Sequence, residues 1–309
     1  MKRMYWFVKR QLKKIFRSKS YETDALYRLL YNLVHDKKES LELTGNQTVK
    51  TFSKQWKTYK NGKGLLTDPN FKKNVTKILC EEELLIDESW FKGKNILDAG
   101  CGNGRWSYGF AKMGANITCV DINESAIEET RKVLEPFNVS KKFIRSSLEE
   151  LPNHLSDEQF DLVFSWGVIH HTKNYNQSFE NVCKYCNEKG ILYLYLYGRE
   201  SLSYENDIKL FKERVYYNSL TTESDKYKFL IEKSSGDEMR VHNFHDLYAP
   251  LINRRLTFDE VKKSLAEQNF KKIIRTIDHT ELFIRAQKGD LEEVPFLQPK
   301  QAPYWFQTV

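Results

Sequence analysis

The chain has 309 residues, of which 40% are hydrophobic, 14% aromatic and 29% charged. That composition excludes a disordered, collagenous or disulfide-scaffold protein and favours one core domain of roughly 200 residues with extensions. Residues 1–20 carry Lys2, Arg3, Lys9, Arg10, Lys13, Lys14, Arg17 and Lys19 and no acid, so the +7 net charge is a property of this arm and the remainder is close to neutral. A neutral body has no global field to attract a polyanion, so a nucleic-acid partner is not expected. Five cysteines and a basic start that runs into no apolar core predict a reducing, cytoplasmic setting. No stretch approaches the roughly 20 apolar residues that span a bilayer.

In chain order, Met4, Val8, Leu12, Ile15 and Phe16 fall at spacings of three and four, with the bases largely elsewhere. The arm 1–20 therefore reads as a basic amphipathic helix, which could lie on an anionic membrane surface or pack on the protein's own core. Residues 21–92 read as a helical region broken at Asn61-Gly62-Lys63-Gly64 and at Asp68-Pro69. The run Asn95-Ile-Leu-Asp98-Ala-Gly100-Cys101-Gly102-Asn-Gly104-Arg105-Trp106 predicts strand, glycine loop and helix, and Ile117–Asp121 a second buried strand that ends in an acid. A strand-ending carboxylate about twenty residues beyond such a loop can accept hydrogen bonds from two ribose hydroxyls. A dinucleotide loop needs a sixth-position glycine, where this chain has Arg105, and Asp98 would repel a pyrophosphate while suiting a cationic ammonium. A nicotinamide oxidoreductase is disfavoured on both counts.

Asp98 to Gly104 followed by Asp121 resembles motifs I and II of the class I methyltransferases that use S-adenosylmethionine. Phe160 to Thr172 resembles that family's fourth strand and following loop, and Gly190 to Tyr197 its fifth strand, so the resemblance covers roughly residues 93–198. It implies an α/β, doubly wound, mostly parallel seven-stranded sheet with an antiparallel C-terminal hairpin, a helical N-terminal region and a cap insertion. It implies S-adenosylmethionine as donor, S-adenosylhomocysteine as product and no metal. Asp98, Gly100, Cys101, Gly102 and Gly104 would surround the methionine part, Asp121 the ribose and Ile122 the adenine, with Trp166 and Gly167 beside the methyl. Relatives commonly carry an Asp where this chain has Ser147. Ser147 can still accept a hydrogen bond, and Leu148 offers a backbone donor. Trp56 and Tyr59 resemble an N-terminal motif that lies against the donor site in related enzymes, though an amphipathic helix burying one aromatic face would look the same.

Beyond the fifth strand, residues 199–255 are charged, Tyr-rich and helical in pattern and are expected to cap the site, with Tyr197, His242, His245 and Tyr248 toward the acceptor. The core resumes over 256–290 with a helix from Thr257 to Gln268, started by a Thr257/Glu260 capping box. Alternating runs at Ile273–Asp278 and Glu281–Ala286 predict a hairpin, and 291–309 is a tail. Cys183 and Cys186 form a lone CxxC on a predicted helix, and neither they nor His242 and His245 have the partners a zinc site needs. His170 and His171 follow the fourth strand, where one could remove a substrate proton. Equally, one could cap the next segment while the other packs under the sheet. The function expected is methyl transfer to oxygen or nitrogen of a small-molecule, glycan or lipid-linked acceptor, the last suiting an arm at a membrane surface. The alternatives are an RNA methyltransferase tethered by residues 1–20 and a cofactor-binding protein without catalysis.

Overall fold

The computed structural model describes residues 41–59, 66, 68–199, 204–289 and 293–299. The arm 1–20, the turn at 61–64 and the tail beyond 299 lie outside the described residues. The chain order is α1 (Leu41–Thr58), α2 (Pro69–Ile78), β1 (Asn95–Ala99), α3 (Arg105–Lys112), β2 (Asn116–Asp121), α4 (Glu124–Leu134), β3 (Lys141–Arg145), β4 (Phe160–Trp166) and α5 (Tyr175–Tyr185). It continues with β5 (Cys186–Leu196), α6 (Tyr204–Ser219), α7 (Glu223–Lys233), α8 (Val241–Tyr248), α9 (Phe258–Glu267), β6 (Lys272–Ile277) and β7 (Leu282–Gln287).

The strands form one seven-stranded sheet in the order β3-β2-β1-β4-β5-β7-β6, parallel except for β7 and β6. This is the doubly wound sheet and closing hairpin expected from the sequence. Its central strands read as continuous apolar runs because both faces are covered. Successive side chains alternate between two cores. Leu97, Val163, Leu192 and Leu194 pack toward α5 and α9, while Ile96, Phe164, Ile191 and Tyr193 pack toward α2 and α3.

The Thr257/Glu260 capping box is present at the start of α9. Asp68-Pro69, read as a break, is instead a helix start. Asp68 accepts a hydrogen bond from the Asn70 N–H at 2.8 Å, and Pro69 fills the first helical position, where a missing N–H costs nothing. The CxxC straddles an element boundary: Cys183 ends α5 and Cys186 begins β5, both buried in the core. Burial pushes the Cys186 thiol up to about 12, and among the described residues no group of three or more His, Cys, Asp or Glu is placed to hold a metal ion. Helices α6, α7 and α8 build a separate apolar cluster from Tyr217, Phe229, Leu230, Val241 and Tyr248, which also takes in Tyr59 from the end of α1. Among the described residues, no helix is long and apolar enough to cross a membrane.

Candidate active site

The strand order reverses between β1 and β4, and beyond the carboxyl ends of these strands lies a cavity of about 1170 Å³. A crevice at that position is where open α/β sheets bind ligands. The glycine loop forms one wall. Gly100, Gly102 and Gly104 all have positive φ, at 98°, 55° and 82°. The N–H groups of Gly100 and Cys101 both donate to the Val120 carbonyl, at 2.8 and 2.9 Å, which ties the loop to β2.

Asp121 ends β2 on the cavity wall. Its Oδ2 accepts from the Gly102 N–H at 3.0 Å and its Oδ1 from the Asn123 N–H at 2.8 Å. The Asn123 side chain and the Ile122 N–H also bond to this carboxylate. Burial raises its pKa, against the pull of these backbone hydrogen bonds. Asp98 sits under the loop rather than on the cavity wall, 1% exposed and accepting from Ser107 Oγ at 2.5 Å. Burial pushes its carboxyl up to about 7, Asp121 adds to the shift, and the Ser107 hydroxyl and Arg105 oppose it. Two buried acids beneath one loop make it a poor seat for a diphosphate and a good one for a cation.

Of the other residues singled out in the sequence, Ile122, Ser147, Leu148, Trp166, Gly167, His171, Tyr197 and His242 line the same cavity. Cys101, Gly104, His170, Tyr59, His245 and Tyr248 are not brought to its wall. The reason in α8 is helical period: His242, Asn243, Asp246 and Leu247 share the cavity face, which turns His245 and Tyr248 into the neighbouring core. Trp56 lies on α1, but its side chain is outside the described residues. His170 is fully buried and stacks on Tyr197 with ring centroids 4.1 Å apart. Burial drives its pKa well below the ordinary value. His171 Nδ1 bonds the Ile252 carbonyl at 2.7 Å, and burial pulls that imidazole down to about 3.

Six residues without a sequence-assigned role in the site complete it. Gln55 of α1 bonds His242 Nε2 at 3.0 Å and His245 Nδ1 at 2.9 Å, clasping α8. Gln47 and Thr48 of the same helix bond the Ala249 carbonyl and the N–H groups of Leu251 and Ile252, so α1 crosses the cavity as a strap. Arg105 lies 4.3 Å over the Trp166 ring, and Trp166 stacks on Tyr195 at 4.1 Å. Glu83, fully buried in a π-helical turn (Leu79–Glu83), accepts from the Tyr193 hydroxyl and from Trp166 Nε1. Asp246 accepts from the Tyr197 hydroxyl at 2.7 Å.

Burial pushes Glu83 up to about 7, opposed by Tyr193, Trp166 and Arg105. The folded state thus holds this proton more tightly than the unfolded chain. Stability from the protonated group is complete below the ordinary carboxyl range and is lost as pH rises through about 7, by roughly 3 kcal/mol at most. Glu83→Gln cannot ionise. Its advantage in unfolding free energy over the unmodified protein is expected to grow by about 2–3 kcal/mol between pH 5 and pH 8 in urea titrations. An advantage independent of pH would show that Glu83 does not titrate in this range.

Comparison with known proteins agrees with this geometry. The profile of a family described as "Methyltransferase domain" matches residues 90–248, just over half of the chain. The ubiquinone biosynthesis O-methyltransferase of Rickettsia bellii is 31% identical over 109 residues, 35% of this chain and 44% of that protein. The mitochondrial enzyme of the same description from Schizosaccharomyces pombe is 35% identical over 105 residues, 32% of this chain and 36% of that protein. The chain therefore spans less than half the length of these curated relatives. Among solved structures, the Burkholderia thailandensis 1,6-didemethyltoxoflavin-N1-methyltransferase superposes with a TM-score of 0.48 at 16% identity, covering 78% of this chain and 89% of that one.

Proposed function

The chain belongs to the methyltransferase-domain family, and from that premise we propose that it transfers a methyl group from S-adenosylmethionine to a small-molecule acceptor. The observation that carries this reading is Asp121 at the end of β2, bonded to the glycine-loop amide of Gly102 and facing the cavity. Asp121 would hold the ribose hydroxyls, and Ile122, 41% exposed on the cavity wall, would lie against the adenine. Ser147 and Leu148 would border the ring edge, and the backbone of Gly100 and Gly102 the methionine part. The acids Asp98 and Asp121, close to the glycine loop, favour a cationic donor over a dinucleotide. S-adenosylmethionine, when bound, supplies a methyl group already activated on a sulfonium.

What the protein adds is placement and exclusion of water. Holding the acceptor atom within about 3–3.5 Å of the methyl supplies most of the rate. The cavity volume of about 1170 Å³ exceeds the roughly 300–1,000 Å³ of a single-ligand pocket, as a donor and an acceptor side by side require. The curated relatives, described as O-methyltransferases of ubiquinone biosynthesis, support a small-molecule acceptor with oxygen as the receiving atom. The burial of His170 supports a packing role for it, whereas His171 is anchored through Nδ1 and lines the cavity. Segment 199–255 supplies the acceptor side through α8. Titration calorimetry tests the reading: S-adenosylhomocysteine and S-adenosylmethionine are expected to bind with dissociation constants of about 1–100 μM while NADH gives no heat. Binding of NADH in place of the adenosyl-sulfur ligands would overturn it.

A further inference from the structure

We infer that Asp246, oriented by Tyr197, is the proton acceptor for a phenolic hydroxyl on the acceptor molecule. The inference rests on the methyltransferase reading above and names the group that prepares the receiving oxygen. Asp246 lies on the cavity face of α8, in the segment between β5 and α9, and shares that cavity with the glycine loop. Its two oxygens differ. Oδ2 accepts from the Tyr197 hydroxyl at 2.7 Å, whereas Oδ1 is buried without a well-formed hydrogen bond, the Gln55 amide being the donor nearest to hand. A buried carboxylate oxygen so poorly satisfied gains from a donor on a ligand.

The mounting is rigid. Tyr197 is held between His170, whose ring centroid is 4.1 Å away, and Arg255, whose guanidinium lies 5.3 Å from the Tyr197 ring centroid. His171 meets the Tyr197 ring edge-on at 5.3 Å, so the two histidines bear on the proton acceptor as a platform for Tyr197. The charged and titratable groups that face Asp246 are Tyr195 from β5, Tyr197 just beyond that strand, Arg105 from α3, Arg214 from α6 and His242 on its own helix, with the Gln55 amide from α1. Burial raises the Asp246 carboxyl to about 6, and Tyr197 and Arg105 restrain the rise.

The chemistry selects the acceptor class. A base in that range can take a proton from a phenol, with an ordinary pKa near 10, far more readily than from an aliphatic alcohol, whose acidity is near that of water at about 15.7. The aromatic wall formed by Phe52, Trp166, Tyr195 and Tyr197 suits a planar ring. In the step itself the phenolic O–H bond breaks, its electron pair stays on oxygen, and a lone pair of Asp246 binds the proton. The proton passes to water when the product leaves.

The test uses 4-nitrocatechol, whose ionised form absorbs in the visible, bound to the protein already saturated with S-adenosylhomocysteine. Because the probe and Asp246 share one proton, part of the ionised band is expected to persist at pH 5.5 in the unmodified protein. It is expected to vanish in Asp246→Asn. Tyr197→Phe removes a hydrogen bond that lowers the Asp246 pKa and is expected to move the titration to higher pH. With catechol as acceptor, kcat/KM should fall by about 10²–10⁴ in Asp246→Asn, while S-adenosylhomocysteine affinity stays within about threefold. An identical band in Asp246→Asn, or no binding of the probe to the loaded protein, would overturn the assignment. Failure of the unmodified protein to bind S-adenosylhomocysteine would instead remove the methyltransferase reading and this inference with it.

Discussion

Asp121→Ala is expected to weaken S-adenosylhomocysteine binding by a hundredfold or more. Each ribose hydroxyl donating to a buried carboxylate contributes about 1.5–3 kcal/mol, so losing two such bonds costs about 3 kcal/mol or more, which is at least a hundredfold in affinity. The same truncation also frees the N–H groups of Gly102 and Asn123, which Asp121 holds at 3.0 and 2.8 Å. The loop would therefore loosen as well as lose its ligand contact. Asp121→Asn, which keeps one acceptor oxygen, should fall between the two, near tenfold. Calorimetry on the three proteins is the measurement. An unchanged affinity in Asp121→Ala would take the nucleoside site away from β2 and with it the central support for the function proposed here.

The second large effect is expected from Gly100→Ala. Gly100 has φ of +98°, and an added Cβ would stand 2.2 and 2.7 Å from the two methyl carbons of Val168. Backbone strain of about 1–3 kcal/mol and overpacking of similar size then add. Urea titration should show a loss of about 3–5 kcal/mol, a large fraction of an ordinary domain's stability. Adenosyl-ligand binding should be lost too, because relieving the clash pulls the loop from its two hydrogen bonds to Val120. Gly93→Ala separates the two causes: its φ is +75°, but its added Cβ meets nothing within 4 Å. It should lose only about 1–2 kcal/mol. Equal losses at the two positions would mean that Val168 gives way.

The parts of this protein legible in its sequence are those whose signals are local. The glycine loop, the acid at the end of β2, the apolar central strands and the Thr257/Glu260 box each occupy a few consecutive residues with one physical reading. Tyr248 and His245 misled because composition gives the residues of a segment but not its rotation. Once 241–248 is a helix, His242 and Asp246 face one way and His245 and Tyr248 the other. Glu83 was invisible for a different reason. In Cys80-Glu-Glu-Glu-Leu it looks like part of a solvated acidic run, and only a π-helical turn brings that one carboxylate under Trp166 and Tyr193. Gln55, Asp246 and Arg105 belong together solely through contacts between segments far apart in the chain. For His170 and His171 sequence position left two readings open, and the structure separates the pair: His170 lies off the cavity and His171 on its wall.

The strap formed by α1 has a consequence for how the molecule is made. Its hydrogen bonds from Gln47 and Thr48 reach partners 204 residues further along the chain. At synthesis rates of about 5–20 residues per second, α1 waits roughly 10–40 s after it is made before its partners exist. The strands that carry the glycine loop meet their neighbours long before that. The strap over the ligand cavity thus closes late in synthesis, with α9 and the β6–β7 hairpin still to follow, and α1 spends the interval with its cavity-facing side chains, Val49 and Phe52 among them, unpartnered by α8.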